Sequence, residues 1–292
     1  MDAVITYVNG LDPVWQKDYE TYNDIPPLTK RYRDWGTLKY LLRGIEVNMP
    51  FINNVFLVVS HESQVPDWVN RNVLKVVLHK DIIPAEFLPT FNSTTIEMFL
   101  HRITGLDEQY LYFNDDTFPV SPCKADDFFR EGKGIIGFSK HIFALGMYKK
   151  QCLNSDRFAR EALGLPKPWM FIRPQHICTP MLRSECCEAF AKMEDKILPT
   201  LSRLRTDKNL NQYFFLDYMY YRGTIVPQKL SNKHFSLAMA SERDIISFLL
   251  QPTRKMCCIN DVHLKEDKYL SMRQSLISTL SMVLSDKSKY EI

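Results

Sequence analysis

Five consecutive residues, Val55-Phe56-Leu57-Val58-Val59, are apolar without any alternation. A strand with one wet face alternates polar and apolar side chains. A run that is apolar on both faces must be covered on both sides, as strands of parallel sheets are. Residues 3–8 (Ala-Val-Ile-Thr-Tyr-Val) have the same character, and 74–78 form a third such run. Between the first two, Trp35, Leu38, Leu41, Leu42 and Ile45 recur at helical spacing from Asp34 to about Met49, and Pro50 stops the helix. Strand, helix, strand in this order specifies an α/β fold.

Punctuation supports that reading. Asn9-Gly10 ends the first strand, and Asp12-Pro13 opens a helix with Asp as N-cap and Pro at its first position. Residues 20–30, with Pro26-Pro27, and residues 79–93 read as loops. A short helix is expected over 94–103, a fourth strand over 109–113 and a fifth over 135–138. Beyond residue 150 the pattern predicts helices at 155–164, 180–198, 207–222, 241–250 and 264–285. The expected architecture is a mixed, mainly parallel sheet flanked by helices, with a mostly helical C-terminal half. Residues 1–150 form its α/β core and 151–292 a lobe completing the same site, joined near Lys167-Pro168 and Arg173-Pro174. The last stretch, 264–285, suits core packing, a dimer face or a membrane surface.

Composition narrows the function. A chain of 292 residues, 45% hydrophobic, can bury a full core. A formal net charge of +3 argues against a general nucleic-acid binder. Seven cysteines with no C-x-x-C repeat read as reduced thiols. Met1 runs straight into a strand, leaving no room for a signal peptide, and the apolar runs are too short to cross a bilayer. A soluble, cytoplasmic protein is expected.

Several segments could carry chemistry, and each has an ordinary alternative. Asn114-Asp115-Asp116 follows the fourth strand at the edge where open α/β sheets bind ligands. Its carboxylates suit magnesium or manganese, yet the tripeptide is also plain turn chemistry. Asp2, Asn9, Gly10 and Asp12 lie along the first strand and its exit, where a nucleotide could approach, or where a turn simply forms. Arg31 and Arg33, beside Asp34 at a helix start, could attract phosphate or sit on a solvated face. His101-Arg102 could face the site or cap a helix. His176, in a loop, is a general-base candidate or a structural histidine. Arg205 could clamp a phosphoryl oxygen, and Asn260-Asp261 could complete a metal shell. There is no P-loop, no G-x-G-x-x-G and no G-x-S-x-G.

Taken together the segments resemble the Stealth family, in four regions. The first is residues 2–12, Asp2-Ala3-Val4-Ile5-Thr6-Tyr7-Val8-Asn9-Gly10-Leu11-Asp12. The second begins at Arg31-Tyr32-Arg33-Asp34 and includes Leu41-Leu42-Arg43-Gly44-Ile45-Glu46, Gln64-Val65-Pro66-Asp67-Trp68 and Leu88-Pro89-Thr90-Phe91-Asn92-Ser93. It closes with Ile96-Glu97, His101-Arg102-Ile103 and Tyr112-Phe113-Asn114-Asp115-Asp116. The third spans about Gln175-His176 to Tyr220-Tyr221, and the fourth is Cys258-Ile259-Asn260-Asp261. The resemblance implies a nucleotide-sugar-transferase-like (GT-A or Rossmann-like) fold, a UDP-sugar donor, a magnesium-dependent reaction and release of UMP. It matches Asp115 or Asp116, His176 and Arg205 to the family's catalytic carboxylate, histidine and arginine, with Asn92, Ser93, His101 and Arg102 near the substrate. Asp115, Asp116, Asn260 and Asp261 are the expected metal ligands. Tyr7, Ala3 and Thr94-Thr95 depart from the usual residues, and no large inserted modules of the animal members are present. The implied product is a phosphodiester between hexose-1-phosphate and a hydroxyl of a capsular polysaccharide or a lipid-linked oligosaccharide, the latter met at the inner face of the membrane. The rival readings are a metal-dependent glycosyltransferase that releases UDP and a non-catalytic nucleotide-sugar-binding scaffold.

Overall fold

The structure, a computed structural model, describes residues 1–24, 26, 27, 32–167, 169–260 and 264–292. Its centre is a five-stranded sheet in the order β10-β4-β1-β2-β3. Strands β1 (Asp2–Thr6), β2 (Val55–Val59), β3 (Lys75–Leu78) and β4 (Gln109–Asn114) run parallel, with Ala3 beside Val55 and Leu111. The parallel sheet expected from the unalternated apolar runs is present. Ala3, Val4, Ile5, Leu57, Val58, Val59 and Phe113 have no exposed surface.

Strand β10 (Thr179–Leu182) completes the sheet, antiparallel to β4. The sequence pattern predicts a helix from residue 180; residues 180–182 belong to the strand instead, and the helix begins at Arg183. Pro180 is tolerated there because β10 is an edge strand and needs no ladder donor on its free side. Smaller sheets follow. Strands β5 (Thr117–Pro119), β12 (Asn232–Ser236) and β13 (Met256–Asn260) form one, in the order β12-β13-β5. Strands β6 (Phe129–Arg130), β7 (Lys133–Ile135) and β11 (Ile225–Val226) form another, and β8 (Phe138–His141) pairs antiparallel with β9 (Phe171–Pro174). The C-terminal half therefore carries more strand than the helical pattern predicts.

Helices α1 (Pro13–Tyr22), α2 (Leu38–Asn48), α3 (His79–Ile82) and α4 (Ser93–Glu97) belong to the first half. Helices α5 (Gly146–Ala162), α6 (Arg183–Ile197), α7 (Tyr213–Arg222), α8 (Glu242–Leu250) and α9 (Glu266–Val283) belong to the second. Helix α2 packs Leu41, Leu42 and Ile45 into the core with no exposure. It also lies against β5 so closely that a Cβ on Gly44 would meet the Pro119 carbonyl oxygen at 2.8 Å, which is why glycine interrupts an otherwise good helix-forming sequence. The loop expected at 79–93 contains α3, and α5 begins well ahead of residue 155. All seven cysteines are free thiols. Among the described residues, no helix is long and apolar enough to cross a membrane.

Two charged contacts pin the ends of this frame. Asp2 is fully buried at the N-terminal end of β1. Its Oδ1 accepts from the Asn54 backbone N–H (3.1 Å) and side-chain amide (2.9 Å), and its Oδ2 accepts from the Asp107 N–H (2.9 Å). Asp2 thus ties β1 to the approaches of β2 and β4, at the sheet end opposite Asn114, and is not a nucleotide ligand. At the other end of the chain, Arg43 on α2 holds Glu291 through two hydrogen bonds of 2.8 Å each, and its Nη1 donates to the Leu284 carbonyl at 2.7 Å. Burial alone would raise the Glu291 carboxyl. The bonds from Arg43 and from the Ser288 amide and hydroxyl outweigh burial and hold it down at about 2. A carboxylate with a depressed pKa stabilises the fold above its unfolded value and loses that contribution as pH falls toward 2. Glu291→Ala should therefore cost about 3 kcal/mol at neutral pH, and its deficit against wild type in urea titrations should shrink below pH 4. An unchanged unfolding midpoint at pH 7 would contradict this.

Candidate active site

Beyond the C-terminal ends of β1 and β4, a cavity of about 1070 Å³ opens between the main sheet, the β12-β13-β5 sheet and the β8-β9 pair. The turn Asn114-Asp115-Asp116, which joins β4 to β5, forms its floor. Asp116 is the best-anchored of the three. Its carbonyl accepts from the Ile259 N–H at 2.9 Å, its Oδ1 from the Thr117 hydroxyl at 3.1 Å and its Oδ2 from the Cys258 thiol at 3.6 Å. These bonds bring residues 115–116 and 259–260 side by side, and Asp115, Asp116 and Asn260 all line the cavity.

His176 faces this turn. Its Nε2 stands 3.9 Å from Asp116 Oδ2, an ion-pair distance, and its Nδ1 lies 3.4 Å from the Tyr213 hydroxyl. The Asn232 amide donates to the His176 carbonyl at 3.1 Å and fixes the loop. The His176 and Asp116 side chains are 28% and 23% exposed, open enough to meet a ligand and buried enough to feel each other strongly. Burial by itself would lower the His176 pKa. The facing Asp116 carboxylate overrides it and raises the imidazole above its ordinary value. Burial likewise works to raise Asp116, and His176 and the Thr117 and Cys258 donors bring it below the usual carboxylate range.

Arg205 lies in the same cavity, its Nη2 donating to the Ser93 hydroxyl at the start of α4. One turn on, Glu97 also lines the cavity and is only 5% exposed. Its Oε2 accepts from the Gln212 N–H at 2.8 Å, and the Tyr112 hydroxyl stands 3.5 Å from Oε1. Burial pushes the Glu97 carboxyl up to about 7, against the pull of Arg205. Sequence reading quoted Glu97 only as part of a motif. Its spacing of four from Ser93 on one helix face was the available signal, and only the fold shows that the face looks into the cavity. Arg173, near the end of β9, lines the cavity too, although the sequence marks it only as part of a junction. Two buried guanidinium donors on the wall, Arg33 Nη1 and Arg173 Nε, make no hydrogen bond within the protein. Arg33, Arg173 and Arg205 together bring positive charge to the cavity wall.

The remaining expected ligands are placed elsewhere. Asn9 Oδ1 accepts from the Leu11 N–H at 2.9 Å in a local turn, and its backbone is clamped by the Gln64 amide. Gly10 donates to the Tyr32 carbonyl at 2.7 Å, where a Cβ would meet that oxygen at 2.6 Å. Asp12 caps α1 through the Trp15 N–H at 2.7 Å. Asn92 is fully buried, caps α4 and holds Ser202 and Asn209. Asp34 accepts from the Gly36 N–H at 2.8 Å and supports the cavity residue Tyr7, whose hydroxyl is pushed up first by burial and then by Asp34 and Asp115. His101 packs between Phe190 and Phe215, and burial lowers it to about 3. Arg102 lies over Phe99 and Phe190 and reaches Glu194. Short polar side chains satisfied by local backbone do not reach a ligand, as with Asn9, Asp12 and Asn92; neither they nor Gly10, His101, Arg102 or Asp2 line the cavity. Arg31 and Asp261 lie outside the described residues.

The oxygen donors Asp115 and Asn260 suit a hard divalent ion such as magnesium, which takes few protein ligands and keeps positions for water and phosphate. For Glu97 the stability sign follows from its raised pKa. The folded state prefers the neutral acid, so stability is complete below about 4.5 and declines as pH rises through 7. Glu97→Gln should melt with wild type at pH 4 and above it at pH 8, by roughly 2–3 kcal/mol. Parallel melting curves at both pH values would contradict the assignment.

The sequence places these groups in a wider setting. Residues 31–136 match the model of Stealth protein conserved region 2. Over its whole length the chain is 30% identical to the capsular polysaccharide phosphotransferase WcwK of Streptococcus pneumoniae, covering 99% of that protein. It is 30% identical, with the same coverage, to the receptor polysaccharide phosphotransferase WefC of Streptococcus oralis. It is 28% identical to the capsular polysaccharide phosphotransferase LcbA of Aeromonas hydrophila, over 98% of this chain and 84% of that one. Mouse xyloside xylosyltransferase 1 superposes with a TM-score of 0.41 at 12% identity, over 88% of this chain and 96% of the mouse chain. With full-length identity at this level, the chain belongs to the Stealth family of phosphotransferases.

Proposed function

We propose that the cavity binds a UDP-sugar and transfers its hexose-1-phosphate to a hydroxyl of a capsular polysaccharide, forming a phosphodiester and releasing UMP. The observation that carries this reading is the meeting of His176, Asp116 and Arg205 in one cavity that Arg33 and Arg173 also line. The names of the full-length relatives support the polysaccharide acceptor.

In this reading the acceptor oxygen attacks the phosphorus next to the sugar. The bond from that phosphorus to the bridging oxygen breaks, and UMP leaves with the bridging oxygen. Asp116, facing Nε2, favours the ring proton there and leaves Nδ1 to take the acceptor's proton. Arg205, with Arg33 and Arg173, balances charge on the transferring group. Ser93 holds the Arg205 fork in place, and Glu97 sets the charge beside it. Asp115 and Asn260 would hold a magnesium or manganese ion, which when bound neutralises phosphate oxygens.

His176→Ala and Arg205→Ala should each lower turnover about a hundredfold to ten-thousandfold without unfolding the protein. The nucleotide released from UDP-N-acetylhexosamines with capsule oligosaccharides, read by mass spectrometry, should be UMP. UDP would support glycosyl transfer instead. A base works only when unprotonated, and His176 is raised, so the acid limb of the rate profile should lie above the ordinary imidazole value. Asp116→Asn should move that limb to lower pH while slowing the reaction. A limb that stays in place would remove Asp116 from this role.

A further inference from the structure

Next to the oxygen donors stands a second donor set of different chemistry. His234 on β12 and Cys258 on β13 are register partners on adjacent parallel strands, so both side chains leave the sheet on the same face. The loop holding His176 is tied to β12 by the Asn232 amide, which sets the two imidazole rings 5.9 Å apart, edge to face. One ligand atom from each of His176, His234 and Cys258 lies within 4.8 Å of the other two. Asp116 Oδ2 adjoins the group, 3.6 Å from the Cys258 sulfur and 3.9 Å from His176 Nε2. In a tetrahedral zinc site with bonds of about 2.0–2.3 Å, ligand atoms stand about 3.3–3.8 Å apart. Rotamer adjustments of about an ångström would close these side chains onto one ion.

We infer that His176, His234, Cys258 and Asp116 form a binding site for a thiophilic divalent cation of the zinc class, separate from the oxygen donors Asp115 and Asn260. Two imidazoles, a thiolate and one carboxylate select zinc or cobalt over magnesium, which demands an oxygen shell. Binding converts the Cys258 thiol to thiolate and releases its proton to solvent. The backbone, not chance exposure, assembles the group: β13 is held on both sides, with Cys258 opposite His234 on one and Thr117 on the other. One consequence rests on the proposed function. An ion that binds His176 removes the base, so zinc would inhibit turnover while magnesium would not.

The test is a cobalt(II) titration of the full chain after chelator treatment, read by absorption. Intense tetrahedral visible bands and a thiolate-to-cobalt band in the near ultraviolet should appear at one equivalent and vanish on adding zinc. Cys258→Ser should abolish the near-ultraviolet band, and His234→Ala, at an exposed position, should weaken cobalt binding at least tenfold. A weak octahedral spectrum, no binding at millimolar cobalt, or a thiolate band that survives Cys258→Ser would overturn the inference, as would unchanged affinity in a folded His234→Ala. If UMP is never released, the functional reading fails and these spectra still stand. If UMP is released normally and the spectra are absent, only the cation site fails.

Discussion

The hydrogen bond from the Ile259 N–H to the Asp116 carbonyl is the contact on which the site depends. It stitches the exit of β4 to the end of β13, and so joins the main parallel sheet to the smaller β12-β13-β5 sheet. The acidic turn and the groups facing it are placed by that seam. Asp115 and Asp116 come from one side and Asn260 and Cys258 from the other, while His176 arrives on the loop that feeds β10 back alongside β4. A strand end in a parallel sheet has backbone donors and acceptors to satisfy. Here they are satisfied by a second sheet, which leaves the carboxylates turned toward the cavity.

The electrostatics follow from this placement. Asp116 and His176 are partly buried together, so each shifts the other toward its charged form. Glu97 is buried without so close a cation and is shifted toward its neutral form. Two carboxyl groups of similar intrinsic acidity thus reach opposite protonation tendencies within one cavity, and burial and partner distance decide which is which. The guanidinium groups of Arg33, Arg173 and Arg205 keep the wall positive despite the acids on the floor.

Much of the frame was legible in the sequence, because runs such as Val55–Val59 have one physical solution, a strand covered on both faces. The turn at Asn114-Asp115-Asp116, His176 and Arg205 were also legible as positions, through the resemblance more than through spacing. The errors have local causes. Helix α2 starts later than its apolar period suggests because Gly36 takes φ +72° and Asp34 binds its N–H. Residues 207–212 are not helical because Asn209 and Asn211 bond backbone N–H groups at Thr206 and Tyr213. Strand β10 is only four residues long and runs directly into a helix, so no breaker marks the join. Glu97 and Arg173 could not be assigned to the cavity before the fold existed, since nothing in a one-dimensional pattern says which face of a five-residue helix meets a ligand.

One part of the cavity wall, which includes Trp15, Tyr32 and Phe91, has a construction of its own. Trp15, Tyr19, Tyr32 and Phe91 form a small aromatic cluster separate from the main core, closed by the bond from the Tyr32 hydroxyl to the Phe91 carbonyl. Its rings pack on one another, Trp15 stacked on Tyr19 and tilted against Tyr32, and Phe91 edge-on to Trp15 and Tyr19. Backbone bonds from Gly10 to Tyr32 (2.7 Å) and from Phe91 to Arg203 (2.9 Å) tie the cluster down. This flank of the pocket therefore rests on its own aromatic contacts, apart from the packing of the parallel strands.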